Sequence, residues 1–227
     1  MVGIHLEKIK AALGSVDESL RCCAVEDLQQ LTSGDRIPLL LVSLQDRSAR
    51  VREAAAAVLE SVGGASVADA MAKLLGSENV PARNAAMEIL EKLGQPSLKI
   101  LEEYVNSPSV DVRKFAIDTI GKILAVTTGM DATMGSALSG RLYDADLNVA
   151  GAAAEALGNS KDDSIIQSLV RRLSEPSLAS WVQCTIIVAL SGMPGHMARE
   201  AILKIDRAHL SDEASTFLEQ ALKSEAV

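Results

Sequence analysis

The chain has 227 residues, of which 48% are apolar and only 2% aromatic, and it carries a net charge of −8. With so few aromatics, Ala, Leu, Val and Ile must fill the core, which favours closely packed helices over strands. The acidic balance disfavours a nucleic-acid partner, which needs clustered Lys and Arg, and the absence of any long apolar run, with His5, Glu7, Lys8 and Lys10 near the start, speaks against membrane insertion or a secretory leader.

In chain order, residues 1–16 read as a short capping helix and residues 17–28 as the first copy of a repeated helix. Its arginine, Arg21, recurs at Arg52, Arg83 and Arg113, and two weaker copies place Ala150 and Gln183 in that slot. The steps are 31, 31, 30, 37 and 33 residues. Just before the slot stand Leu20, Val51, Ala82, Val112, Val149 and Val182. Four residues on come Ala24, Ala55, Ala86, Ala116, Ala153 and Ile186, then Leu28, Leu59, Leu90, Ile120, Leu157 and Leu190. An apolar stripe at i, i+4, i+8 is one buried helix face, and the mostly small middle residue lets a neighbouring helix approach closely.

Second helices are predicted between these, at 37–44, 67–75, 97–105, 134–142 and 165–173. Entry signals are Asp35 ahead of Ile37 and Pro38, Pro96 with Ser97, and Asp162 to Ser164; exits carry Gly63, Gly76, Gly94 and Gly158. Residues 125–132 supply the extra length of the 37-residue step, where Gly129 breaks the helical run. They read as drift in an imperfect repeat, as a hinge, or as a loop that touches a partner. Helices at 197–206 and 212–223 would cover the last repeat. The expected fold is all-α: a right-handed α-solenoid, or superhelix, of about six helix pairs. It forms one domain over 1–227, with repeats at 17–193 and caps at 1–16 and 194–227.

The repeat resembles the short HEAT-like repeats of the phycobilisome-lyase type, in which an acidic residue and spacer precede Val-Arg and an Ala-rich helix. Asp46 with Val51-Arg52, and Val112-Arg113 with Ala116, carry the likeness. The resemblance implies a HEAT-like solenoid whose second helices line a concave face, in a family of lyase subunits, adaptors and nucleic-acid binders. Deoxyhypusine hydroxylase, with similar repeats, holds a di-iron centre through recurring His-Glu pairs. Here His5, His196 and His209 precede Leu6, Met197 and Leu210, so that activity is not expected.

The ladder Arg21, Arg52, Arg83, Arg113 is expected to be structural, bonding carboxylates or turn carbonyls of neighbouring segments, with Asp17 and Asp46 as partners. Cys22 and Cys23 point in different directions on one helix and Cys184 is five repeats away, so no shared thiol site is expected; Cys23 takes a slot that is Ala elsewhere and should be core. No phosphate loop, metal motif or nucleophile pair is present, so no catalytic, cofactor or metal site is expected. Trp181 follows Ser19, Arg50, Pro81, Asp111 and Asn148 in a polar slot. It is either an exposed anchor for a partner or a lid on the C-terminal helices, with the need to cap the stack favouring the lid. On the second helices, two ladders four residues apart share one face: Pro38, Asp69, Lys99, Ser136, Gln167, and Val42, Lys73, Glu103, Gly140, Arg171. The groove they imply is apolar near Leu41, mixed in the middle, and basic near Arg141, Arg171 and Arg172. Partner-binding residues are therefore expected at Asp69, Lys73, Lys99, Glu103, Arg141, Gln167, Arg171 and Arg172. The expected role is a cytoplasmic, non-catalytic protein–protein interaction scaffold; the resemblance offers a bilin lyase subunit or phycobiliprotein maturation factor as the alternative.

Overall fold

Capping, apolar spacing and glycine exits together divide the chain into helices of the expected kind. The computed structural model describes residues 2–127 and 129–224, apart from the side chains of residues 2–5, 33 and 224. Among the described residues there is no strand. Two compact units divide the chain, Met1–Ile100 and Leu101–Val227.

The first unit holds α1 (Val2–Leu13), α2 (Glu18–Asp27), α3 (Ser33–Ser43), α4 (Ala49–Val62), α5 (Gly64–Lys73), α6 (Val80–Leu93) and the start of α7 (Gln95–Tyr104). Here α2 packs on α4 and α4 on α6, while α3 and α5 form a second layer against them. The second unit continues α7 and adds α8 (Val110–Val126), α9 (Ala132–Arg141), α10 (Leu147–Ser160), α11 (Ile166–Leu173), α12 (Ser180–Gly192), α13 (His196–Leu203) and α14 (Asp212–Ser224). In it α8, α10, α12 and α14 pack in succession, with α9, α11 and α13 in the other layer. Thus α13 lies beside α11 and α12 as a second helix does, and α14 continues the first layer.

The repeated slots explain the packing. All six residues of the middle slot and all six of the last are buried, from Ala24 and Leu28 to Ile186 and Leu190. Burying such a stripe is the main favourable term for helices this short, because an isolated helix of 10–14 residues is marginal in water. Leu20 departs from the pattern at 53% exposure, and Cys23, expected in the core, is exposed too. They lie three residues apart on one side of α2.

Local chemistry sets the helix ends. Asp17, Asn79, Ser109, Asp131 and Asp146 cap α2, α6, α8, α9 and α10 through side-chain oxygens that accept first-turn N–H groups. Gly63 (φ 60°) ends α4 in a conformation closed to other residues. Two boundaries differ from expectation. Helix α3 starts at Ser33, so Pro38 sits inside it and not at its start. The extra residues of the fourth repeat lengthen α8 to 17 residues, against 14 for α4, α6 and α10, and only the remainder forms the connection around Gly129 (φ 97°).

In the second unit, glycine brings the first-layer helices together. A Cβ on Gly158 would lie 2.8 Å from the Cα of Ala189, so α10 and α12 touch backbone to backbone there. A Cβ on Gly121 would lie 3.2 Å from Ala156, and Asn159 Nδ2 donates to the Gly121 carbonyl at 3.2 Å, tying α10 to α8.

Candidate functional site

The repeated arginine is built into the turn that leads into its own helix. Its Nη1 donates to the carbonyl six residues back in all four copies: Arg21 to Ser15 (3.0 Å), Arg52 to Asp46 (2.8 Å), Arg83 to Ser77 (3.0 Å) and Arg113 to Ser107 (2.9 Å). The side chain at that earlier position folds the same turn, accepting the N–H two residues on; Ser15, Asp46, Ser77, Ser107 and Asp144 all do so.

Where that position is aspartate, the arginine of the preceding repeat reaches it as well. Arg21 donates Nε and Nη2 to the two oxygens of Asp46 at 2.8 and 2.9 Å, and Arg113 does the same to Asp144 at 2.9 and 2.8 Å. These two-pronged pairs are largely buried. The Arg21 hydrogen bond, with help from the Ser48 N–H, holds the Asp46 carboxyl below its ordinary range. Burial pushes Asp144 the other way, but hydrogen bonds from Arg113 and the Asp146 N–H outweigh it and hold this carboxyl low too. Asp17, the other expected partner, instead caps α2 through the Ser19 N–H.

The sixth copy replaces the cation with an amide. Gln183 is 2% exposed; its Nε2 donates to the His209 carbonyl and its Oε1 accepts the Ser211 N–H, both at 2.9 Å. It grips the turn before α14 as Arg21 grips the turn before α4. Sequence reasoning took this copy as a lost arginine. The signal was there, because an amide supplies one donor and one acceptor to a turn without a carboxylate.

On the second helices every rung of both ladders is exposed: Pro38, Asp69, Lys99, Ser136 and Gln167, and Val42, Lys73, Glu103, Gly140 and Arg171. Charges on this face are partly satisfied internally. Lys73 pairs with Asp69 at 2.6 Å. The expected basic end is weaker than three arginines suggest. Arg141 is half-buried and bonded to Asp144 at 3.1 Å, and Arg172 pairs with Glu175 at 2.6 Å while lying 4.9 Å from the Tyr143 ring centre. Of the three, Arg171 is the exposed one.

Trp181 is 45% exposed, and its ring lies against α10. A Cβ on Gly151 would meet the ring at 2.4 Å, so this glycine is the seat of the tryptophan. One face of the ring rests on Gly151. Leu147, one turn before Gly151, and Tyr143 are exposed as well.

Cys22 and Cys184 are half-buried, and burial, then Glu213, pushes the Cys184 thiol up. Cys184 borders a surface trough of about 540 Å³ with Glu155, Asn159, Val188 and Phe217. Among the described residues, no three or more His, Cys, Asp or Glu side chains are placed to hold a metal ion. No helix of the described residues is long and apolar enough to cross a membrane.

Comparison with known proteins supports the repeat and little beyond it. Residues 6–91 match a family model described as HEAT repeats. No curated protein matches the chain. Among solved structures it is similar to a protein described as crescerin, said to use a TOG domain array to regulate microtubules in the primary cilium. There the identity is 19%, the TM-score 0.54, and 92% of this chain and 93% of that one are covered. Human deoxyhypusine hydroxylase aligns at 15% identity and TM-score 0.39, over 98% of this chain and 97% of that one. The CpcE–CpcF complex of phycocyanin lyase from Nostoc aligns at 20% and 0.39, over 96% and 81%. The crescerin alignment shows a shared α-solenoid fold; the other two superpose too loosely to carry an argument. HEAT repeats are supported, and the narrower phycobilisome-lyase type is not.

Proposed function

We propose that the chain is a cytoplasmic, non-catalytic scaffold that holds one or more partner proteins on the second-helix face of its repeats. The observation that carries this reading is the pair of ladders: ten positions, all exposed, on helices whose other sides are packed in the core. Each unit presents a run of this face, apolar at Val42 and Pro38 in the first and polar with Arg171 in the second. Within each unit a run of exposed positions of this kind suits a protein segment, since complementary charge fixes register along a contact. Trp181 on its glycine seat is a second, aromatic contact point, of the residue type enriched among interface hot spots.

Affinity capture from the native lysate tests the proposal. A partner held by the parent protein should be lost by Val42→Asp combined with Lys73→Glu and Arg171→Glu, and kept by Glu53→Lys with Glu88→Lys on the first helices. Equal retention by both variants would overturn the assignment of the face. A captured phycobiliprotein or bilin-bearing chain would instead favour the lyase or maturation role. Trp181→Ala should weaken capture.

A further inference from the structure

The two repeat junctions inside the first unit are fastened at opposite edges. Between the first and second repeats, three ties join the turn before α4 to the start of α2: the Arg21–Asp46 pair, Arg47 Nη2 to the Val16 carbonyl at 3.1 Å, and Arg50 to Glu18 at 3.3 Å. One repeat on, 31 residues later, all three are replaced together. Ser77 stands for Asp46, Glu78 for Arg47, and Pro81 for Arg50, while Ala49 stands for Glu18. Arg52 keeps its own-turn bonds to the carbonyls of Asp46 and Arg47. Among the described residues, its Nε and Nη2, which in Arg21 hold the next repeat, make no hydrogen bond. The far edge of the same junction is tied. Lys92 pairs with Glu60 at 2.7 Å, and the Leu93 side chain lies 3.6 Å from where a Cβ on Gly63 would be.

From this contrast we infer that the junction between the second and third repeats is a one-edged hinge, pivoting near Glu60–Lys92 and opening at the Arg52–Ser77 edge. A packed interface with ties along one edge has one soft rotation, about that edge. The turns at the open edge continue directly from the C-terminal ends of α3 and α5. Opening therefore changes the spacing of Val42 and Lys73. For a partner seated on the second-helix face this adjusts the width of the seat, a consequence that rests on the function proposed above; the hinge itself does not.

Native-state hydrogen exchange on the full chain reads the hinge without any partner. Equivalent amides exist at both junctions: Ser48 and Arg52 at the tied one, Asn79 and Arg83 at the open one. The Asn79 and Arg83 amides should show protection factors lower by on the order of tenfold. Ser77→Asp, which supplies the missing carboxylate to Arg52, should raise them to the level of Ser48 and Arg52. Ser77→Asn, which keeps the turn but not the charge, should leave them low. The reciprocal change Asp46→Ser should lower protection at Ser48 and Arg52. Equal protection at the two junctions in the parent protein would overturn the hinge. So would unequal protection that neither Ser77→Asp nor Asp46→Ser alters.

Discussion

The guanidinium of Arg113 divides its donors between two tasks, closing its own turn through Ser107 and Pro108 and holding the next repeat through Asp144. The two tasks separate in mutants. Asp144→Asn keeps the turn but loses the charged acceptor, and should cost about 1.5–3 kcal/mol, as for other hydrogen bonds to charged groups. The carboxyls of Asp46 and Asp144 are held low in the fold. Their stabilisation is therefore complete above the unfolded carboxylate pKa of about 3.9 and fades as pH falls through the lower folded values. Urea midpoints should show Asp46→Asn and Asp144→Asn well below the parent at pH 6, with the gap narrowing as pH falls below the unfolded carboxylate pKa of about 3.9. A constant difference across that range would contradict this. At Trp181, the only tryptophan, Gly151→Ala should lift the ring from its seat and move the fluorescence maximum to longer wavelength.

Helix against helix, the glycines divide into those that must be glycine and those that need not be. A Cβ at position 158 has no room beside the Ala189 backbone. Gly158→Ala should thus push α10 from α12 and cost about 1–3 kcal/mol, in the range of other overpacked cores. Gly140 has nothing within 4 Å of its would-be Cβ and lies in α9. Gly140→Ala should stabilise by up to about 1 kcal/mol, since alanine restricts the unfolded chain and favours helix. Thermal melts of the two variants should move in opposite directions. Helix α10 packs on both α8 and α12 and is buried from Val149 to Gly158 except at Glu155. Its amides should be the slowest to exchange in the second unit, ahead of those in α13.

For the molecule as a whole, what could be read in advance was whatever repeats. Six copies of one stripe located the first helices, because each must bury the same face, and the second helices followed from the spaces between. What escaped depends on contacts that no single copy specifies. Leu20 and Cys23 obey the pattern yet are exposed, because burial needs a covering neighbour as well as an apolar side chain. Arg141 and Arg172 read as a basic patch because they were counted as charges without Asp144 and Glu175, each only three residues on in sequence, while the Tyr143 ring reaches Arg172 only in the fold. Gln183 was passed over for a different reason: its amide was legible, but its partners, backbone groups of the His209 and Ser211 segment, come within reach only in the fold.

The own-turn bond of the arginine also bears on how such a chain grows. Its acceptor is a main-chain carbonyl six residues back, which every sequence supplies. A tandem duplication that copies one repeat therefore copies a complete fastening for the entry turn of its helix. Only the link to the neighbour, aspartate or serine at the Asp46 and Ser77 positions, is left to later point substitution. Length and stiffness can in this way be acquired separately, the first by duplication and the second one junction at a time.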